Sequence, residues 1–242
     1  MKKGLTLLLF LVLFISCEKK YVIKNNSVYV KGWNEGQGNY ERLLENADAQ
    51  NFSEIENNDN LYGTDKINVY YEDKIIPGAD PKSFKTIKKG FAIDSKRAYY
   101  NNDSIENSSP RGFEVIDYKF SKNHNNIFYK TKPLNVCSVN DFRFVSTKKD
   151  NVLGRWSKDG CFYYFNNYRV PSNDYKDIVI FINSVGISRD NNHVYAFDKN
   201  YFDTNTRVVF VKATGSMVKD TIDIETFKIE NNIMMDKFGR IN

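Results

Sequence analysis

Apolar and polar residues alternate over short distances along most of the chain, and short apolar runs are separated by polar turns. The segment "INVYYEDKIIPGADPKSFKTI", residues 67–87, shows the arrangement: a Val-Tyr-Tyr run, a polar stretch, an Ile pair, an Asp-Pro turn and a Phe three residues before an Ile. Short runs rich in Val, Ile, Tyr and Phe that are bounded by Asn, Asp, Gly and Pro are typical of β-strands. The pattern therefore predicts β-hairpins joined by tight turns.

The same arrangement recurs with a period of 29 residues. A shift by one period superimposes aromatic positions on one another in three consecutive units. They are Tyr62, Phe91 and Phe120; Tyr70, Tyr99 and Phe128; and Phe84, Phe113 and Phe142. Looser copies begin near residues 21, 156 and 187, which gives about six units and a terminal fragment. A period of this length predicts a tandem-repeat domain.

The polar turn of each hairpin carries Asp or Asn at a fixed position, which Asp65, Asp94 and Asn123 occupy. These residue types suit turns because their side chains bond the local backbone. Because Asn123 stands where Asp94 does, we expect Asp94→Asn to be nearly neutral for stability. The Asp80-Pro81 segment predicts either one helical turn or a β-turn with Pro second, and the "FEVI" and "FRFV" segments that follow the corresponding turns predict strands.

We predict an all-β domain of tandem β-hairpin repeats over residues 21–242. Aromatic side chains at two positions of each unit are expected in the core. They are Tyr70, Tyr99, Phe128, Phe84, Phe113 and Phe142. We expect the units to form a stacked array. A small β-propeller is the alternative, although 29 residues is short against about 40 for a four-stranded blade.

The chain begins "MKKGLTLLLFLVLFISCEKK", with Lys2 and Lys3 before an apolar run and Ser16 directly before Cys17. The run is too short to cross a bilayer, which needs about 20 residues, and it is typical of a secretory signal. The order of features resembles the lipobox of bacterial lipoproteins, with Phe14 where Leu is usual. This resemblance implies cleavage before Cys17, a diacylglycerol on its thiol and acylation of the new amine. Residues 1–16 are then a signal peptide and residues 17–20 a lipidated tether.

The repeat itself resembles the DKNYY repeat family, through the "DKINVYY" motif at residues 65–71 and the "GADPKSF" segment at residues 78–84. The resemblance covers most of residues 20–242 and is strongest at 62–145. It implies a repeated architecture in a bacterial protein that is secreted or lipid-anchored. It implies no catalytic residue.

Composition removes several classes of function. Removing Lys2 and Lys3 from the 35 basic residues leaves 33 against 30 acidic residues, and the charges are interspersed, so the chain lacks a nucleic-acid footprint. The two remaining cysteines, Cys137 and Cys161, form either one disulfide, which an extracytoplasmic compartment permits, or two buried free thiols. His124 is placed in a turn without the neighbours of a zinc site. We predict no catalytic residue, metal or cofactor.

These observations predict a membrane-anchored extracytoplasmic lipoprotein that acts as a non-enzymatic binding or scaffolding module. Its expected partners are the membrane, through the N-terminal lipid, and an envelope protein or polysaccharide; no nucleic acid is expected. The alternative is binding of a cell-envelope carbohydrate through exposed tyrosines, since aromatic rings on hairpins can stack on sugars. A hydrolase that uses scattered carboxylates is a third class, and the recurrence of Asp65 and Asp94 argues against it because a repeated acid suits a turn better than one asymmetric active site.

Overall fold

The computed structural model describes most of the chain after the N-terminal segment. The described residues are 20–55, 62–88, 90–145, 155–172, 174–181, 186–191, 193–197, 201–205, 208–211, 217–218, 226–231, 233–237 and 239–240. The predicted signal peptide and the predicted lipidation site at Cys17 lie outside them. Contacts divide the chain into two compact units, Met1–Lys82 and Ser83–Asn242.

The described strands pair antiparallel with their neighbours in the chain and form small sheets that follow one another in sequence order. In the unit Met1–Lys82, the first sheet comprises β1 (Tyr21–Lys24), β2 (Ser27–Asn34) and β3 (Gly38–Leu43). The second sheet comprises β4 (Ser53–Ile55), β5 (Tyr62–Thr64), β6 (Val69–Tyr71) and β7 (Lys74–Ile75).

In the unit Ser83–Asn242, three four-stranded sheets come first. The third sheet comprises β8 (Lys85–Lys88), β9 (Phe91–Ile93), β10 (Ala98–Tyr100) and β11 (Asp103–Ser104). The fourth comprises β12 (Glu114–Val115), β13 (Phe120–Lys122), β14 (Ile127–Tyr129) and β15 (Lys132–Pro133). The fifth comprises β16 (Arg143–Phe144), β17 (Trp156–Lys158), β18 (Tyr163–Phe165) and β19 (Tyr168–Arg169).

Two further sheets complete this unit. The sixth comprises β20 (Val179–Ile180), β21 (Ile187–Arg189), β22 (His193–Phe197), β23 (Tyr201–Asn205), β24 (Val208–Val211) and β25 (Met217–Val218). The seventh comprises β26 (Lys228–Glu230), β27 (Ile233–Asp236) and β28 (Gly239–Arg240). The helical content of the described residues is one 3-10 turn at Tyr175–Asp177. Within that part of the chain, no helix has the length and apolar character needed to cross a membrane. The predicted all-β array of hairpin repeats is therefore confirmed.

Each four-stranded sheet is built from two adjacent sequence repeats. The strand after the Asp-Pro turn pairs with the first strand of the following hairpin: Lys85 lies opposite Ile93, and Glu114 lies opposite Lys122. The strands predicted after this turn are confirmed, but each belongs to the sheet of the next hairpin. Residues 81–83 form a turn and no helix. The sheets are therefore offset from the 29-residue period, and each repeat is joined to the next by strand pairing.

A large aromatic residue lies opposite a very small residue in each hairpin. The register gives the pairs Tyr70 with Gly63, Tyr99 with Ala92, Phe128 with Ser121, Tyr164 with Ser157, and Tyr195 with Ser188. The five aromatic side chains of these pairs are fully buried. The small partner leaves room for a second ring: a Cβ on Gly63 would lie 2.4 Å from Cζ of Phe52. Directly opposite residues share one face of a sheet, so this face of each hairpin is a core face.

Four of these five aromatics pack against the preceding sheet of their own unit. Tyr70 packs with Tyr21, Val28, Val30 and Leu44 of the first sheet and its following loop. In the other unit, Phe128 packs with Phe91, Ala98 and Ile105; Tyr164 packs with Phe120, Ile127 and Leu134; and Tyr195 packs with Trp156, Phe165 and Val170. Consecutive sheets of a unit therefore share their cores, which makes stability a sum of nearest-neighbour interfaces.

The second set of predicted core residues lies beside these aromatics. Phe84 is buried and its ring centroid is 5.5 Å from that of Tyr99. Phe113 is partly buried between Phe91 and Phe128, at centroid distances of 6.1 and 6.4 Å. Phe142 is also partly buried, 6.2 Å from Phe120. Phe113 and Phe142 thus extend their cores without being sealed from solvent, whereas Phe84 is buried.

Truncation of the fully buried aromatic position is expected to destabilise the protein strongly. Tyr99→Ala and Phe128→Ala should each lower the free energy of unfolding by about 3–5 kcal/mol, the usual loss for a large buried ring. Tyr118→Ala is the matched control because this ring, in the same unit, is exposed, and it should change the free energy little. Urea unfolding measures all three. A Tyr99→Ala variant as stable as the wild type would show that this ring is not part of a core.

Candidate functional site

The Asp of each hairpin turn is buried and accepts hydrogen bonds from the turn itself. Oδ1 of Asp65 accepts the Ile67 and Asn68 amides, both at 2.7 Å. The same arrangement recurs with Oδ1 of Asp94 at 2.7 and 2.9 Å and with Oδ1 of Asp159 at 2.9 and 2.7 Å. Such a bond from side chain to backbone defines an Asx turn. The recurrent acids are therefore internal parts of the turn, although the sequence indicated only their turn position.

The second carboxylate oxygen accepts the hydroxyl of a tyrosine five residues later. The distances from the tyrosine oxygen to Oδ2 are 2.7 Å for Tyr70 and Asp65, 2.6 Å for Tyr99 and Asp94, 2.8 Å for Tyr164 and Asp159, and 2.8 Å for Tyr195 and Asp190. A hydrogen bond to an ionised carboxylate is shorter and stronger than one between neutral groups. The first tyrosine of each repeat is thus held in the core at both its ring and its hydroxyl.

The fourth sheet replaces both partners at once. Oδ1 of Asn123 accepts the Asn125 and Asn126 amides, both at 2.9 Å, so the Asx turn is kept. The aromatic five residues later is Phe128, which has no hydroxyl to donate. Asp therefore occurs with Tyr and Asn occurs with Phe. The structure changes the expectation for Asp94→Asn, because Asn123 has a different aromatic partner from Asp94.

The carboxylate also bonds the segment that leads into its hairpin. Oδ2 of Asp65 accepts the Asp48 amide at 3.1 Å, Oδ2 of Asp159 accepts the Cys137 amide at 2.7 Å, and Oδ2 of Asp190 accepts the Ser172 hydroxyl at 2.6 Å. One buried acid thus joins a turn, a core aromatic and the incoming linker. A buried ionised group is tolerated only with several such donors.

The hydrogen bonds also set the ionisation of the pair. Burial on its own would raise the pKa of Asp65, but the bonds donated by Asn68, Tyr70, Ile67 and Asp48 together hold that pKa below its usual value. Burial and the bond to the Asp65 carboxylate raise the pKa of Tyr70 to about 12. At neutral pH the pair therefore consists of an ionised carboxylate and a neutral phenol, with the proton fixed on the tyrosine.

Cys137 and Cys161 form a disulfide, with 6.3 Å between their Cα atoms. Both are exposed, and their backbone amides donate to the two oxygens of Asp159. The three residues hold atoms within 4.8 Å of one another, as a metal site would. Both sulfurs are consumed by the disulfide and the carboxylate accepts several hydrogen bonds, so this group stabilises the turn and is a poor cation site.

A cluster of tyrosines lies on the surface of the unit Ser83–Asn242, and we call Tyr100, Tyr118, Tyr129 and Tyr168 the tyrosine patch. Tyr118 is 47% exposed and Tyr168 is 57% exposed, and the Tyr100 hydroxyl donates to the Tyr118 carbonyl at 3.2 Å. Burial, with smaller contributions from Tyr118, Tyr100, Asp117 and Tyr168, raises the pKa of Tyr129 to about 12. Tyr100 and Tyr129 are the second aromatic residues of the pairs Tyr99-Tyr100 and Phe128-Tyr129, so these two members of the patch are one period apart.

A groove of about 550 Å³ lies beside the first sheet, in the unit Met1–Lys82. It is lined by Lys20, Lys31, Gly32, Trp33, Asn39, Tyr40 and Glu41. Trp33 is 65% exposed. The Tyr40 ring covers Gly32 so closely that a Cβ there would lie 2.1 Å from its Cζ. This groove was not predicted from the sequence. The sequence feature that could have indicated it is the presence of Trp33 and Tyr40 in a stretch that has no counterpart in the 29-residue repeat.

The histidines contribute no site within the described residues. His124 is exposed, and its ring lies over the Cα of Gly112, where a Cβ would be 2.3 Å from Nε2. The side chain of His193 lies outside the described part of the structure.

Comparison with known proteins gives one match. The model of the DKNYY family matches residues 62–199 and, in a second overlapping placement, residues 91–239. The two placements begin one 29-residue period apart. No curated protein and no solved structure gives a significant match.

The Asp94–Tyr99 pair is expected to be energetically coupled. Asp94→Asn should lower the free energy of unfolding by about 1.5–3 kcal/mol, because it removes a hydrogen bond to a charged group. Tyr99→Phe should cost about 1–3 kcal/mol, because a buried carboxylate loses a donor. The double variant recreates the natural Asn–Phe pair of the fourth sheet, so its loss should be at least about 0.5 kcal/mol smaller than the sum of the single losses.

Urea unfolding of the four proteins in this cycle measures the coupling. Asp103→Asn is the matched control, since it makes the same change at an exposed acid of the third sheet. A neutral Asp94→Asn variant, or strictly additive losses, would show that the carboxylate and the phenol do not stabilise each other.

Proposed function

The chain belongs to the DKNYY family, and from this premise we propose that it is a membrane-anchored extracytoplasmic lipoprotein whose repeat domain is a non-enzymatic binding or scaffolding module. The observation that carries the location is the order of Lys2 and Lys3, the apolar run, Ser16 and Cys17 at the start of the chain. Two or three acyl chains on one cysteine bind a membrane far more strongly than a single chain, which holds only marginally.

The binding or scaffolding role is supported by the use that the fold makes of its recurrent polar residues. Asp65, Asp94 and Asp159 each accept a core tyrosine and two turn amides. A general acid or base must exchange a proton near the working pH, whereas Asp65 has a lowered pKa and Tyr70 a raised one. The repeated chemistry therefore serves the scaffold, and among the described residues the tyrosine patch and the groove at Trp33 are surfaces available for function.

The second candidate function is binding of a cell-envelope carbohydrate, and the tyrosine patch is the observation that favours it. Exposed rings combine an apolar face with a polar hydroxyl, which suits the face and rim of a sugar ring. Lys119 Nζ lies 5.0 Å from the centroid of the Tyr118 ring, which adds a donor beside that ring. The first tyrosines of the repeats do not contribute, because their rings are fully buried.

Lipidation is tested at Cys17. Radiolabelled palmitate should label the wild-type protein in cells and should not label Cys17→Ala, which is expected to stay uncleaved or to be released without lipid. The matched control is the double variant Cys137→Ala with Cys161→Ala, which should keep the label because those thiols are used in the disulfide. A wild-type protein without label contradicts the anchoring proposal.

The two binding functions are separated by a paired capture experiment. Under the scaffolding proposal, the lipidated protein co-purifies with one envelope protein and does not sediment with isolated cell wall. The carbohydrate alternative predicts sedimentation that Tyr118→Ala with Tyr168→Ala reduces at least tenfold. Ile67→Ala is the control for loss of an exposed apolar side chain outside the patch, since Ile67 is exposed in the other unit. Cell-wall binding that depends on the two tyrosines would replace the scaffolding proposal.

A further inference from the structure

The hairpin of β2 and β3 extends past the rest of the first sheet. These strands pair from Tyr29 opposite Leu43 to Asn34 opposite Gly38. In contrast, the pairing of β1 with β2 ends at Tyr21 opposite Val30. Residues 31–41 are therefore a two-stranded projection, which we call the hairpin tip. A two-stranded ribbon has no core of its own, so its side chains are available to another surface.

The hairpin tip carries the residue types that occupy the boundary between water and lipid. Trp33 is the most exposed aromatic residue that the structure describes beside the groove, whereas Tyr40, which pairs with Gly32, lies on the opposite face of the hairpin. Trp concentrates at membrane–water interfaces because its ring is apolar and its N–H is polar. Lys31 and Lys20 line the same groove. The ammonium of Lys20 pairs with Glu72 at 3.8 Å, and a long lysine side chain such as that of Lys31 can reach from apolar surface to the headgroups.

The acidic residues near the tip are partly neutralised within the protein. Glu41 forms an ion pair with Lys24 at 2.7 Å. Arg42, the next residue of β3, pairs with Asp73 at 3.2 Å and lies 4.6 Å from the centroid of the Tyr40 ring. Glu35, in the turn, is the remaining acid of the tip. The tip and its base are therefore not strongly repelled by an anionic membrane surface.

The chain outside the described residues leads from this groove to the proposed anchor. The Lys31 amide donates to the Lys20 carbonyl at 2.8 Å, which places the start of the described chain beside the hairpin tip. Cys17 precedes Lys20 by three residues, and an extended chain spans at most about 3.6 Å per residue, or about 11 Å in all. A lipid on Cys17 would therefore hold the groove close to the headgroups, whatever path those residues take.

We propose that the hairpin tip docks on the membrane interface, with Trp33 inserted among the lipid headgroups beside the acylated Cys17. This inference rests on the proposed lipid anchor. The anchor supplies attachment, whereas the contact at Trp33 fixes which face of the unit Met1–Lys82 is turned to the lipid. The exposed Leu43, which shares a face of the sheet with Trp33, lies on the same side.

The fluorescence of Trp33 can show whether this side chain contacts lipid. The chain has two tryptophans, and Trp156 is buried in the core of the fifth sheet. The lipoprotein is reconstituted in vesicles of phosphatidylcholine and phosphatidylglycerol with or without lipids brominated near the headgroup. We expect brominated lipid to quench the Trp33 component of the emission at least twofold and to leave the Trp156 component unquenched. Trp33→Phe should abolish the quenching, and Trp156→Phe should keep it.

A displaced probe controls for general proximity to the membrane. Ile67 is highly exposed in the turn of the second hairpin, so Ile67→Trp in the Trp33→Phe protein should show little quenching. Equal quenching at both positions would overturn docking through the hairpin tip. A Cys17 that carries palmitate together with an unquenched Trp33 would also overturn it, and would leave the lipid anchor intact.

Two other results would also decide whether the hairpin tip docks on the membrane. If Cys17 carries no lipid, the proposed function fails and this inference fails with it, which the palmitate label shows independently of fluorescence. If Trp33 emission responds to soluble cell-wall fragments and not to brominated lipid, the groove is a sugar site and the docking proposal is overturned.

Discussion

The buried Asp of the repeat turns, which Asn replaces in the fourth sheet, makes the interaction on which the repeat depends. An ionised acid in a protein interior is costly unless donors surround it, and here the donors come from three separate parts of the chain. For Asp159 they are the Cys161 and Phe162 amides of the turn, the Tyr164 hydroxyl of the next strand and the Cys137 amide of the incoming linker. Because each donor must be in place to offset the burial, the turn, the strand and the linker are fixed together.

This interaction also decides which aromatic side chains belong to the core and which to the surface. In a strand, successive side chains point to opposite faces. Once the Tyr99 hydroxyl is bonded to Asp94, its ring lies in the core and the following Tyr100 must point the other way. Phe128 and Tyr129 alternate in the same way, but Phe128 has no hydroxyl and is held in the core by the packing of its ring alone. The positions of Tyr100 and Tyr129 in the tyrosine patch thus follow from the core, whereas Phe165, which follows Tyr164, is itself buried.

The period and the residue types predicted the hairpins, the strands after the Asp-Pro turns and the all-β architecture, because strand patterning is local. The correlation of Asp94 with Tyr99, and of Asn123 with Phe128, was visible in the sequence, but an acid in a turn is usually solvated and its burial was not predicted. The offset between sheet and repeat was also not predicted, since local pattern does not say which neighbour a strand pairs with. The pairing of Cys137 with Cys161 was left open because it depends on a distance in space.

The features that are particular to this protein lie in segments that depart from the 29-residue repeat. Successive turn residues lie 29 positions apart from Asp94 to Asn123 but 36 apart from Asn123 to Asp159, and a longer connection costs more entropy to close. The disulfide lies across this longer connection, and a cross-link that limits the unfolded chain offsets such a cost. Likewise, the hairpin of β2 and β3 is longer than its counterparts, and it carries Trp33 outside any repeat core. The regular repeats stabilise one another through similar contacts, whereas Trp33 and the disulfide lie in segments that break this regularity, so these features are particular to this chain.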